Sequence, residues 1–258
     1  MIVIHGYEVV RFTLVLLRVG FILMMVPVFG SRMVPRRVRI GIGILMSFLI
    51  YPYVAFKMPD TLGLWEMVPG FFAEIVIGMT MGMITQIMFA GIQVAGQIAG
   101  YQMGFGIVNV IDPMTSQQVS IAAQFYYLFA VLLFLATGTH RIFIQALVES
   151  FRYIPPMQAH LSGFNISRLM KLAGNIFVLA VKVGAPVLAI TLFTQVVLGI
   201  VARTVPQINV FIVGFPLQIG IGLVGIGLSL PLLASLLTSL FKGLGWDIFS
   251  ILRTLGHL

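Results

Sequence analysis

The sequence predicts an all-α, integral-membrane-type protein of about six long hydrophobic helices with breaks, arranged as helical hairpins within a larger helical assembly. Three observations carry that reading. Hydrophobic residues make up 60% of the chain and charged residues 9%, with a mean hydropathy of +1.10, whereas soluble domains carry roughly 25% charged residues. Apolar runs recur at residues 12–30, 40–56, 75–111, 121–137, 172–202 and 210–241, and most approach or exceed the ~20 residues that cross a bilayer. One of these runs also carries amides and glycines along a single helical line, which marks a wall that neighbours must complete. With 258 residues and no linker or low-complexity segment, the chain reads as one domain.

The first run, 12–30, is interrupted by Arg18 and Pro27; a charge there needs a partner, a polar cavity or the interface. The start of the chain, with His5 and Glu8, lacks the pattern of a cleavable signal peptide. Arg32, Arg36, Arg37 and Arg39 follow in one short loop, which the positive-inside rule would put on the cytoplasmic side. The second run, 40–56, is expected to stop at Pro52, before a loop over 57–66. Absent cysteines exclude a disulfide framework, a thiolate metal site and a cysteine nucleophile. The net charge of +8 sits mostly on arginines at the ends of apolar runs. No polar domain presents a basic face to nucleic acid.

Residues 75–111 hold no charge, too long a stretch for one ~20-residue span, so this run must tilt, break or leave the hydrocarbon. Its first half is rich in methionine (Met79, Met81, Met83, Met88), a deformable side chain that fills irregular gaps. In its second half, taking ~100° per residue, Gly82, Gln86, Gln93, Gln97, Gly100 and Gly104 fall within ~40° of one line. Buried amides without partners are costly, so Gln86, Gln93, Gln97 and Gln102 call for water or another chain. Gly96, Gly100 and Gly104 are spaced to admit a neighbouring backbone. After Gly104 the pattern ends in Phe105 and Gly106, and Asp112-Pro113 reads as a turn. The stretch is a helix feeding a loop, set against a passage or a partner.

A helix over 121–137 is expected to end near Gly138 and His140, the latter a cap or interface residue, and an amphipathic segment follows before Pro155-Pro156. The last two runs flank Arg203, Pro206 and Asn209, with Gly214 and Pro216 just beyond. Arg203 is the only charge between Lys182 and Lys242. Pro206 and Pro216 are expected to break the backbone on either side of the segment between them, giving an αα-hairpin. No phosphate loop, HExxH or nucleophile elbow is present, so neither an enzyme nor a cofactor or metal site is expected.

The segments SRMVPRRVRIGIGILMSFLIYP, AGQIAGYQMGFGIVNVIDP, FLATGTHRIFIQALVESF and LGIVARTVPQINVFIVGFPL occur in this order, and together they resemble the FliR family of flagellar type III export, which is related to the SctT proteins of injectisomes. The resemblance covers almost the whole chain. It implies a single domain over 1–258, in which 1–170 is a FliP-like helical portion and 171–258 a FliQ-like hairpin. It further implies a place in the bacterial inner membrane at the flagellar basal body, in an export gate with several FliP-like and FliQ-like subunits and an adjoining FlhB-like subunit. Unfolded export substrates would pass through that gate, driven by energy supplied elsewhere. Family members put a plug loop in the passage; by position it is 105–120 here, with Phe105, Gly106, Ile107, Val108 and Asn109 leading to Val110, Ile111, Asp112, Pro113 and Met114. Gln86, Gln93, Gln97, Gly100, Gln102, Gly104, Arg203, Pro206, Asn209, Gly214 and Pro216 are the expected pore or interface positions. The alternative is a stand-alone membrane carrier or channel using buried Glu74, Asp112 and Arg203.

Overall fold

A computed structural model describes residues 6–30, 34–54, 64–105, 120–158, 166–207 and 209–256. Among the described residues there are eight α-helices, one 3-10 turn and no strand: α1 (Gly6–Met25), α2 (Pro27–Gly30), α3 (Arg36–Ile50), the 3-10 turn Tyr51–Tyr53, α4 (Leu64–Gln102), α5 (Ile121–Ala136), α6 (Thr139–Tyr153), α7 (Ile166–Thr204) and α8 (Val210–Gly256). The all-α class expected from composition is the class observed.

Proline and glycine set most of the boundaries. Pro27 disfavours helix at the residue before it, and α1 ends at Met25, with α2 beginning on the proline itself. Helix α3 starts directly after Pro35 and gives way to the 3-10 turn that contains Pro52, the stop expected there. Gly138, at φ +73°, separates α5 from α6, a left-handed conformation that glycine adopts without a Cβ penalty. Pro216 departs from expectation: it does not break the chain but lies inside α8, as does Pro231. Only the carbonyl four residues earlier, in the first turn, loses its partner to the missing Pro216 N–H, and the helix runs on through it for 47 residues in all.

The chain divides into two compact units. One comprises Met1–Ile87, Gly138–Leu172 and Phe241–Leu258, the other Met88–Thr137 and Ala173–Leu240. In the first, α1 packs against α3, and Leu14, Val15, Val19 and Ile22 are fully buried. Helix α1 also lies close along α4, since a Cβ on Gly78 would come within 2.8 Å of the Arg18 carbonyl oxygen.

In the second unit, α5 runs antiparallel to the end of α4: Gly100 abuts Ser120, Gly96 abuts Ala123, and Phe89 meets Tyr127 and Phe134 edge-on at 6.0 and 5.8 Å. Helices α7 and α8 form the expected hairpin, with Ile190 against Gly225. Among the described residues three helices are long and apolar enough to cross a membrane, Met67–Gln102, Ala173–Thr204 and Ile212–Ser250, and α5 with α6 would make a fourth if read as one broken span. They differ in cover: 61% of the α4 window is buried, against 28% for each hairpin helix. Helix α4 is therefore a core helix, while the hairpin keeps most of its apolar surface, including Phe177, Phe193 and Leu228, exposed.

Candidate functional site

Helix α4 runs for 39 residues, about 58 Å at ~1.5 Å per residue, and its C-terminal end is the site to which the sequence points. The line of glycines and glutamines splits there into two. Gly82, Gly96 and Gly100 are buried, and a side chain at any of them would collide with Met25, Ala123 or Ser120 respectively. Gln86, Gln93 and Gln97, ~20–60° further round the helix than Gly82 and Gly100, are exposed. The glycines thus pack inside this chain, while the amides stand on its exposed surface.

The helix ends in a Schellman motif. Gly104 adopts φ +88°, the Phe105 N–H donates to the Gly100 carbonyl at 3.1 Å, and the Gly104 N–H donates to Tyr101 at 3.0 Å, the paired bonds of that motif. The carbonyls of the last turn otherwise lack partners. Of these, Ala99 receives the Met103 N–H at 2.9 Å, and the Gln102 carbonyl receives the side-chain amide of Gln218 from α8. The Gln102 side chain in turn donates to Gln195 Oε1 on α7 at 3.3 Å.

Two apolar contacts reinforce this amide cluster. The Phe215 ring lies 3.2 Å from where a Cβ on Gly104 would stand, and the fully buried Met103 fills the space beside Gly222. Phe215, Gln218 and Gly222 share one face of α8, being three and four residues apart. At the other end of 105–120, Ser120 lies against Gly100. Phe105 and Ser120 therefore both lie at the last turn of α4.

The chain is similar in sequence to known proteins over most of its length. A model of the family described as bacterial export proteins, family 1, matches residues 9–244. The chain is 36% identical over 219 residues to the flagellar biosynthetic protein FliR of Bacillus subtilis, covering 83% of each. It is 31% identical over 229 residues to FliR of Pectobacterium carotovorum, covering 88% of this chain and 85% of that one. FliR of Escherichia coli is 30% identical over 240 residues, covering 92% and 89%.

The chain belongs to the FliR family.

The remaining positions expected to serve a FliR-family chain fall out as follows. Residues 106–119, with Gly106 to Met114 among them, lie outside the described residues. Arg203 is exposed in the last turn of α7, and Pro206 is exposed in the turn that follows. Asn209 caps α8, its carbonyl accepting the Ile212 N–H at 3.0 Å; Gly214 is buried and Pro216 exposed. His140 is half-buried in the first turn of α6.

Glu74, the one described carboxylate of the carrier alternative, is not available as a free group. Arg18 donates from Nε to Glu74 Oε2 at 2.5 Å and from Nη2 to Oε1 at 3.0 Å, and from Nη1 to the Ser150 carbonyl at 2.9 Å. Its guanidinium also stands 4.3 Å from the centre of the Phe151 ring, and both charged side chains are fully buried. A bidentate pair of this kind neutralises both charges and ties α1, α4 and α6 together.

Sequence reasoning missed this pairing and the roles of Gln195 and Gln218. Signals for each exist. Arg18 is the lone charge of 12–30 and opposite in sign to Glu74, while Gln218 is the only amide in 210–241 and Gln195 the only glutamine in 172–202.

Proposed function

We propose that this FliR-family chain is a structural and gating subunit of the flagellar protein export gate, which helps form and plug the channel that unfolded flagellar proteins pass through. The observation that carries this reading is the attachment of both ends of 105–120 to one turn of α4, beside a line of exposed, uncharged amides. A segment rooted at one place can block a passage and yield without unravelling the helices around it. Uncharged amides offer hydrogen bonds to water and to a passing polypeptide backbone without selecting for charge. The chain acts by shape and position rather than by bond chemistry.

The exposed hairpin α7–α8 and the exposed amides of α4 are surfaces for neighbours: several FliP-like and FliQ-like subunits, an adjoining FlhB-like subunit, and lipid. The portion over 1–170 takes the place of a FliP-like subunit and that over 171–258 of a FliQ-like hairpin. The assembly belongs in the inner membrane at the flagellar basal body. The test deletes residues 108–114 and measures ion conductance of membranes that carry the assembled complex. Conductance is expected to rise with complex recovery unchanged; a tight membrane with normal recovery overturns the plug.

A further inference from the structure

The hairpin and the end of α4 are joined by contacts more specific than apolar packing requires. Gln218 is only 8% exposed, and it points its amide at the Gln102 carbonyl, which neither the two bonds of the Schellman motif nor the Met103 N–H satisfies. Gln195 holds the side chain of the same residue, Gln102, from the other arm of the hairpin. A leucine at either position would have sufficed for packing in helices this apolar. The amides there make hydrogen bonds instead, Gln218 donating to the Gln102 carbonyl and Gln195 accepting from the Gln102 side chain, and these hold the end of α4 in place.

We infer that Gln218, assisted by Gln195, is a positioning residue that clamps the C-terminal end of α4 to the hairpin and thereby keeps the assembled gate closed to ions. The inference rests on the gating reading above and names the residues that hold the closed state. Burial makes the clamp effective, because a neutral hydrogen bond without competing water holds its geometry. Its neutrality also makes it releasable, since no buried charge is exposed when it parts.

The test uses the full complex in membrane vesicles and reads ion leak together with complex recovery. Gln218→Met keeps the length and apolar bulk of the side chain but removes the donor. It is expected to raise leak about fivefold, the shift in population that follows loss of one neutral hydrogen bond. The natural chain has no cysteine, so a Gln102→Cys, Gln218→Cys pair can be bridged selectively by a short bis-thiol reagent. The unbridged pair should leak and the bridged pair should be tight again, a rescue that a general loss of stability would not give. If Gln218→Met lowers recovery, Gln195→Met, at an exposed position, is read in its place with the same expected sign.

The proposal is overturned if these variants stay tight at normal recovery, or if bridging leaves the leak unchanged. The 108–114 deletion separates the two readings. A leaky deletion with a tight Gln218→Met removes the clamp alone, and a tight deletion with a leaky Gln218→Met removes the plug alone. If both are tight, both readings fall.

Discussion

Replacing Glu74 with alanine tests whether the buried ion pair is a structural joint or a transport group. Arg18 uses three acceptors within 3.0 Å: the two carboxylate oxygens and the Ser150 carbonyl. Glu74→Ala removes two of them and leaves a guanidinium of zero exposure with Nε and Nη2 unsatisfied. Each such buried donor costs about 1–3 kcal/mol, and breaking a buried pair on one side costs about 3–5 kcal/mol. That is a large part of the roughly 5–15 kcal/mol available to a folded domain.

Glu74→Gln keeps one acceptor but turns an amide N–H toward the guanidinium, which places it near the lower end, about 3 kcal/mol. Arg18→Met with Glu74→Leu removes both charges and fills a similar volume, and such double replacements are commonly neutral. The double variant should therefore be far more stable than either single one. The assay is thermal unfolding of the purified complex, with recovery of complex from membranes as a second readout, arranged as a double-mutant cycle. A Glu74→Ala complex as stable as its parent, or a double variant worse than the sum of the singles, would refute the joint. A proton-carrying Glu74 predicts the opposite pattern, with function lost on Glu74→Gln and stability kept.

Two further outcomes follow from the same packing. Gly96→Ala should lower the melting temperature, because its Cβ would lie 2.5 Å from the Ala123 Cα and α5 would have to move away at a cost of about 1–3 kcal/mol; Gly199→Ala, with nothing within 4 Å, should be neutral or gain up to about 1 kcal/mol in helix propensity. Equal melting temperatures for the two would remove the close approach of α5 to α4. Arg203→Ala should reduce co-purification of partner subunits, and Arg203→Lys should restore it only in part, since an ammonium cannot make the forked contacts of a guanidinium; undiminished co-purification would mean that this exposed residue faces only water.

Much of the fold could be read from residue order because its determinants are local. Pro27, Pro52 and Gly138 each act on the turn that contains them, and helices end there. Pro216 misled because it stands near the start of a 47-residue helix, where its missing N–H removes one hydrogen bond, to a first-turn carbonyl. The close approach at Gly96 and Gly100 was readable from glycine spacing alone. What touches them was not. The same holds for Arg18 with Glu74 and for Gln218 with Gln102, which are 56 and 116 residues apart, a separation at which helical periodicity carries no information about partners. The sequence reading also merged glycines and glutamines into one face, since ~40° lies within the width of an ordinary contact stripe.

That splitting has a physical consequence for how α4 meets its surroundings. Val68, Phe72, Met79 and Met83 in the first part of the helix and Gln86, Gln93 and Gln97 in the second are exposed, and all lie within ~60° of one line. The outward face therefore changes from apolar to amide about midway, between Met83 and Gln86. An apolar stripe is at ease against lipid or an apolar neighbour, but three amides in a row are not, because an unpaired amide in hydrocarbon costs several kcal/mol. The amide half of the line must face water or polar groups of another chain, and it is this half that leads directly to Gly104 and the departing segment. A helix buried along its glycine line cannot rotate to hide those amides without driving Gly96 and Gly100 out of their contacts. The glycines thus fix the azimuth of the glutamines, and a Gly96 substitution should disturb the amide line even where it leaves every glutamine in place.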